Sequence, residues 1–295
     1  MKIPTIDLDL HWDSCQQGPI GVFDSGYGGL TVLKELQSKF PTMDFIYLGD
    51  NARSPYGTRS FETIYHYSLE AVKHLFNSHC PLIISACNTA SAKALRSIQQ
   101  IHLGLNPTRR VLGIIRPMTE FLTENEHPET LILGTPGTIQ SNSYLIELHK
   151  FAPSMKVHQK ACPMWVPLVE NEEIETPASE YFTHRYIDEA LTTHPGISRI
   201  VLACTHYPLL KGQVIQSLLQ MNRSDVEVII QGPVVADKLE GYLGRHPEML
   251  QKISTHSTTS YHTTETSELF DARASRFLGS QVKSKHVYLE PTVFR

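Results

Sequence analysis

An α/β fold built on doubly wound parallel sheets follows from three features of the sequence. Short apolar runs alternate with amphipathic stretches along most of the 295 residues. Those runs stop abruptly at small polar residues, as buried strands of a parallel sheet do. Two of them, Leu82-Ile83-Ile84-Ser85-Ala86-Cys87-Asn88-Thr89 and Ile200-Val201-Leu202-Ala203-Cys204-Thr205-His206, are nearly the same and end in a cysteine among hydroxyl or amide neighbours. Repeated strand and helix signals place helices on both faces of each sheet.

In chain order, the expected strands are Ile20–Phe23, Phe45–Leu48, Leu82–Ala86, Val111–Ile115, Thr130–Leu133, Lys156–Gln159, Ile200–Ala203 and Val226–Ile230. All but Lys156–Gln159 are runs rich in β-branched or large apolar residues. Between them, apolar spacing of three and four predicts helices over Leu30–Phe40, Ser60–Ser78, Ala90–Ile101, Ser141–Phe151, Ala178–Thr192 and Leu209–Gln220. A short strand around Ser260–Thr263 leads into a last helix, Ser267–Leu278. The tail after Gly279 has no assignment.

The segment Gly113 to Pro117 reads as the crossover into a second domain, and Gln231-Gly232-Pro233 as the return. The expected division is residues 18–114 with 230–285 as a first α/β domain, 115–229 as a second, and 1–17 as an N-terminal extension. A chain of this length gives each a real core.

Composition excludes more than it identifies. A hydrophobic share of 41% and a charged share of 19% are those of an ordinary globular protein. A formal charge of −4 gives no electrostatic case for nucleic acid or an anionic membrane as partner. Met1 to Cys15 carries Asp7, Asp9 and Asp13 without a basic start or apolar core, so no secretory signal is expected there, and the expected compartment is the cytoplasm. The five cysteines are odd in number and form no C-x-x-C pair, which argues against a disulfide framework or zinc knuckle. No H-E-x-x-H or clustered histidine spacing points to a metal.

Ligands of parallel sheets bind at the carboxyl ends of strands, so Cys87 and Cys204 both point at a site. If the two segments come from facing halves, the thiols flank one substrate carbon from opposite sides. That suits proton transfer. A buried cysteine after a strand is most often a small core hydrophobe, but two in matched settings are a different observation. Cys80 and Cys162, each beside a proline, read as structural, and Cys15 as exposed. Phe23-Asp24-Ser25-Gly26-Tyr27-Gly28-Gly29 joins a strand to a helix with backbone amides where an anion fits, although the same pattern serves a tight turn. Asp50 to Gly57 is a loop with turn chemistry at Pro55 and Gly57.

Together, Gly21-Val22-Phe23-Asp24-Ser25-Gly26, Pro55-Tyr56-Gly57, Ala86-Cys87-Asn88-Thr89-Ala90, Ala161-Cys162-Pro163 through Pro167-Leu168-Val169-Glu170, and Cys204-Thr205-His206-Tyr207-Pro208-Leu209 closely resemble the motifs of glutamate racemase, from about Pro19 to Leu278. The resemblance implies two α/β domains related by a pseudo-twofold with the site between them. It implies interconversion of L- and D-glutamate without a cofactor, serving peptidoglycan synthesis. Cys87 and Cys204 would be the catalytic thiols, assisted by Asp24, His206 and Glu170. Asp24, Ser25, Pro55, Tyr56, Gly57, Asn88, Thr89, Thr205 and His206 would bind substrate, with Thr135, Thr138 and Tyr56 lining its side-chain pocket. Gln231-Gly232-Pro233 departs from the family pattern, which often has aspartate followed by serine or glycine.

Removing a proton beside an ionised carboxylate requires a placed base and stabilisation of the developing charge. A thiolate on one face and a thiol on the other meet the first need, since free cysteine titrates near about 8.5. Hydroxyls and amides at Ser25, Asn88, Thr89 and Thr205 meet the second. The partner implied is a small molecule, glutamate; the resemblance also admits a homodimer. Alternatives are another amino-acid racemase of the superfamily, such as one for aspartate, or a binding protein of this fold, for instance one that binds DNA gyrase.

Overall fold

A computed structural model describes residues 17–103, 108–124 and 129–291. The rest of the expected extension, with Cys15, lies outside the described residues. Among the described residues, ten strands form two sheets. β1 (Ile20–Asp24), β2 (Phe45–Gly49), β3 (Leu82–Ser85), β4 (Arg110–Gly113), β9 (Thr259–Thr263) and β10 (Ser284–His286) make one, in the order β10-β9-β2-β1-β3-β4. β5 (Glu129–Gly134), β6 (Lys156–Ala161), β7 (Arg199–Ala203) and β8 (Glu227–Ile230) make the other, ordered β6-β5-β7-β8. Every named pairing is parallel. The α/β fold class with parallel sheets is what the sequence predicts.

Alternation along each strand divides the core. Ile20, Val22, Tyr47 and Ile84 face one layer of helices, while Phe23, Leu48, Ile83 and Val111 face the other. In the second sheet Leu131, Leu133, Ile200 and Leu202 lie on one face, Ile132 and Val201 on the opposite. Strands buried on both faces must be apolar throughout, which is why they read as unbroken runs. Register brings the carboxyl ends level. Asp24 pairs with Gly49 and Phe23 with Ser85 in the larger sheet; Gly134 pairs with both Ala203 and Ala161 in the smaller.

Two departures share one cause. The strand expected over Val111–Ile115 stops at Gly113, and a helix, Ile115–Glu124, begins where Pro117 reads as a break. A second unforeseen helix, Gln231–Arg245, starts on Gly232 and Pro233. Both prolines occupy a first turn, where the missing N–H has no intrahelical partner to lose. The Gln231–Arg245 helix serves both sheets: Val235, Ala236, Leu239 and Leu243 pack with α1 (Leu30–Lys39), and Val234 packs against the smaller sheet. The helix expected over Ala90–Ile101 is broken at Ala94 into α3 (Asn88–Lys93), a short turn and a π-helical segment, Ile98–Leu103. β10 has three residues, too few for a period-2 signal.

The start of β9 is pinned by Asp44, which is buried before β2. Its carboxylate accepts from the Thr258 amide at 2.8 Å, the Thr258 hydroxyl at 2.7 Å, and the His256 amide and Nδ1 at 3.1 and 2.7 Å. Burial alone would raise its pKa, but hydrogen bonds from Ser254, Thr258 and His256 outweigh that and hold it well below the usual range. A depressed folded-state pKa contributes stability above the unfolded value, about 3.9, that is lost as pH falls below it. Asp44→Asn is expected to destabilise by about 2 kcal/mol at pH 7. The difference from wild type in denaturant midpoints should shrink as pH is lowered from about 5 to about 3.

Candidate active site

Six loops converge at the carboxyl edges of the two sheets. Ser25 follows β1, Ser54 to Thr58 follow β2, and Cys87 to Thr89 follow β3. Thr135 and Pro136 follow β5, Cys162, Pro163, Val166 and Pro167 follow β6, and Cys204 to His206 follow β7. They enclose a cavity of about 60 Å³. The space suits a small solute and not a macromolecule. A larger cavity, about 660 Å³, opens among residues such as Arg96, Arg116, Tyr242 and Arg245, but it holds none of the predicted site residues.

The two thiols differ. Cys87 caps the short helix α3: its sulfur accepts from the Ala90 amide at 3.5 Å, and its S–H donates to Ser25 Oγ at 3.5 Å. Burial and the Asp24 charge push its pKa up to about 12, against the lowering effect of those two contacts. That favours the thiol form of Cys87, in line with the expectation of one thiol and one thiolate. Cys204 Sγ lies 3.8 Å from His206 Nδ1, and His206 Nε2 lies 3.2 Å from Glu170 Oε1. Burial alone would lower the His206 pKa, but contacts with Cys204 and Glu170 raise it well above its ordinary value. Both contacts favour the protonated imidazole. Glu170 in turn sits below the usual range because bonds from His206 and Ser54 outweigh its burial. The Ser54 hydroxyl donates to Glu170 Oε1 at 3.0 Å.

Asp24 and Glu170 stand behind the cavity wall. Asp24 Oδ2 accepts from the Gly26 amide at 2.9 Å, and Oδ1 accepts from the Thr205 hydroxyl at 3.2 Å. Burial raises the Asp24 pKa despite His206 and those donors. Thr138 is also behind the wall; with Thr89 and Thr135 it forms a triangle of hydroxyls 2.9 to 3.4 Å apart. Tyr56 lines the cavity, but its hydroxyl is committed to Asp50, whose carboxylate also holds Arg53. Asn88, Thr89 and Thr205 line it with the two thiols.

Sequence reasoning passed over Pro136, Val166 and Pro167, which present only apolar surface, and read Cys162 as structural although it lines the cavity. Cys80 is buried under α2 (Phe61–Asn77), as expected. The glycines after β1 form the turn into α1 and also allow a close approach. None has positive φ. A Cβ on Gly28 would stand 2.4 Å from Thr205 Oγ1 and 2.5 Å from His206 Nδ1, so only glycine lets the loop approach the end of β7.

No protein-family model matches the chain. It is 38% identical over 274 residues to the glutamate racemase of Ruegeria sp. (strain TM1040), covering 89% of this chain and 97% of that protein. The chain belongs to the glutamate racemase family. These are isomerases. The glutamate racemase of Sulfurihydrogenibium sp. (strain YO3AOP1) is 41% identical over 214 residues, 72% of this chain and 80% of the relative. Among solved structures, glutamate racemase isoform RacE1 of Bacillus anthracis superposes with a TM-score of 0.82 at 32% identity, covering 93% of this chain and 98% of the other. The Francisella tularensis glutamate racemase, solved in complex with D-glutamate, gives 0.81 at 30% identity over 93% and 98%. An aspartate racemase from Picrophilus torridus shares the fold alone, at 16% identity and a TM-score of 0.53.

Gly28→Ala should displace Thr205 and His206 by enough to lower racemase turnover by about 100-fold. Far-UV circular dichroism should be unchanged. Turnover within twofold of wild type would show that the close approach is not required.

Proposed function

We propose that this chain interconverts L- and D-glutamate by a two-base transfer between Cys204 and Cys87, without a cofactor. The observation that carries the reading is that the two thiols, from the ends of β3 and β7, line one small cavity. With L-glutamate, the Cα–H bond breaks and its proton goes to the Cys204 thiolate, leaving the electron pair delocalised into the carboxylate. The Cys87 S–H bond then breaks and its proton is delivered to the opposite face. With D-glutamate the thiols exchange roles. The His206 ring stands beside the Cys204 sulfur that takes the proton, and Glu170 holds that ring in place. Asp24 is buried beside Cys87's side of the site and orients Thr205.

The substrate carboxylates require hydrogen-bond donors, and Ser25, Asn88, Thr89 and Thr205 are among the polar groups on the wall. Thr135 and Tyr56 border the side-chain end. We further propose that the two sheets are the cores of two domains, residues 18–114 with 230–285 and residues 115–229, so that the cavity lies between them. D-glutamate made this way would supply peptidoglycan synthesis in the cytoplasm. Among the described residues no helix is long and apolar enough to cross a membrane.

Circular dichroism of purified protein with L-glutamate, and separately with L-aspartate, tests the substrate. Decay to an even mixture is expected with glutamate alone; decay with aspartate alone would move the assignment. Cys87→Ser and Cys204→Ser should each lower turnover by about 10²–10⁴-fold with folding intact. In heavy water, product should carry deuterium at the alpha carbon while unreacted substrate carries little; retention of the original proton in most product would sink the two-base scheme.

The pH profile supplies a fourth check. Glu170→Gln removes a charge that raises the His206 pKa, so the imidazolium is lost at lower pH. The alkaline fall of kcat/KM for L-glutamate should move down by about one pH unit. No movement would remove Glu170 from the assisting role.

A further inference from the structure

Three buried side chains close a ring of hydrogen bonds behind Cys87. Asn88 Nδ2 donates to Gln231 Oε1 at 2.6 Å, Gln231 Nε2 donates to the Tyr144 hydroxyl at 2.7 Å, and that hydroxyl donates to Asn88 Oδ1 at 2.8 Å. Gln231 Nε2 also reaches Asn88 Oδ1 at 3.3 Å. Asn88 and Gln231 are each 2% exposed and Tyr144 is fully buried. The three come from distant parts of the fold. Asn88 opens α3 after β3, Tyr144 lies on the Ser143–Phe151 helix, and Gln231 follows β8. Only Asn88 lines the cavity.

A carboxamide has two N–H donors and one carbonyl, and its two ends are nearly the same size. Turned one way it offers a donor to the cavity, and turned the other it offers an oxygen that repels an anion. The ring removes that freedom. Rotating the Asn88 amide alone would set its NH₂ against the Gln231 and Tyr144 donors, leaving buried polar groups unpaired. In the ring one Asn88 N–H is used by Gln231, and one is left.

We propose that Gln231 and Tyr144 are positioning residues that hold the Asn88 carboxamide with its second N–H toward a substrate carboxylate. The substrate in this proposal rests on the racemase reading above. A donor that meets the carboxylate equally in the ground and transition states affects binding, so its loss raises KM and leaves kcat nearly unchanged. Gln231 and Tyr144 act only through Asn88, so their effect vanishes once Asn88 has no amide.

The experiment uses Gln231→Leu and Tyr144→Phe, each alone and with Asn88→Ala. In the thiol-intact protein, KM for both glutamate enantiomers should rise about tenfold, the loss of roughly one hydrogen bond, with kcat within about threefold. In a Cys87→Ser, Cys204→Ser background, the D-glutamate Kd from calorimetry should rise by the same factor. Gln231→Leu should add nothing to Asn88→Ala. Tyr144→Phe removes one hydroxyl only and keeps the ring testable if Gln231→Leu does not fold. A full further rise in the Asn88→Ala background, or a lower melting temperature with KM and Kd unchanged, would overturn the proposal. If the parent binds glutamate without turning it over, the racemase reading fails and the Kd series still judges the ring. If the parent does not bind glutamate, both fail.

Discussion

The end of β1 is latched to the end of β7, and the geometry of the cavity depends on that latch. Thr205 donates to the buried Asp24 at 3.2 Å, while the Thr31 hydroxyl is shared between the Gly28 and Thr205 carbonyls at 2.8 and 3.0 Å. The two contacts with Thr205 cross from the segments of one sheet to those of the other. Because a buried carboxylate without partners is strongly unfavourable, Asp24 demands the donors that bring Thr205 to it. Cys204 and His206 flank Thr205 in the chain, so fixing that residue fixes the sulfur and imidazole on either side. Gly28 permits the approach by having no Cβ, and the Tyr47 hydroxyl holds the same loop by donating to the Gly26 carbonyl at 2.7 Å.

Around this latch the polar groups are arranged unequally. Cys204 faces an imidazolium backed by a carboxylate; Cys87 faces a hydroxyl and one backbone amide, with Asp24 near enough to oppose its ionisation. Low dielectric magnifies both effects. The site thus distinguishes its two thiols before any substrate arrives, although the sequence presents them in almost the same words. Similar local sequence sets the strand, the turn and the sulfur at its end. What faces that sulfur comes from other loops, and there the likeness stops.

The same division explains how much could be read beforehand. Strands such as Leu82–Ser85 and Arg199–Ala203 were legible because burial on both faces leaves continuous apolar runs, and the last helix was found to its ends because its apolar spacing is regular. The helices at Ile115 and Gln231 were not, since Pro117 and Pro233 are breakers in the middle of a helix but not in its first turn, and sequence alone does not say which turn is first. In the site, Cys87 and Cys204 could be named from strand ends. The Asn88, Tyr144 and Gln231 ring could not, because its members lie on three elements whose juxtaposition is a property of the packed fold. Gln231 stood out only as a departure from a family pattern, with no partner to explain it.

An unequal site must still serve a symmetrical equilibrium. Enantiomers have equal free energy in water, so under the proposed racemisation the ratio of kcat/KM for the two directions is fixed at one whatever the protein does. The imidazolium beside Cys204 cannot favour L-glutamate in that ratio. Its influence must appear as matched changes in kcat and KM, which separate how tightly each enantiomer is held from how fast it is turned over. Each turnover also leaves the proton on the wrong sulfur for the next molecule of the same enantiomer. Burial and the Asp24 charge push the Cys87 pKa up, a bias toward the form with the proton on Cys87, which L-glutamate requires. The opposite form must be reached against that bias, so asymmetry in this site acts on the recycling of the free enzyme as much as on the chemistry at the alpha carbon.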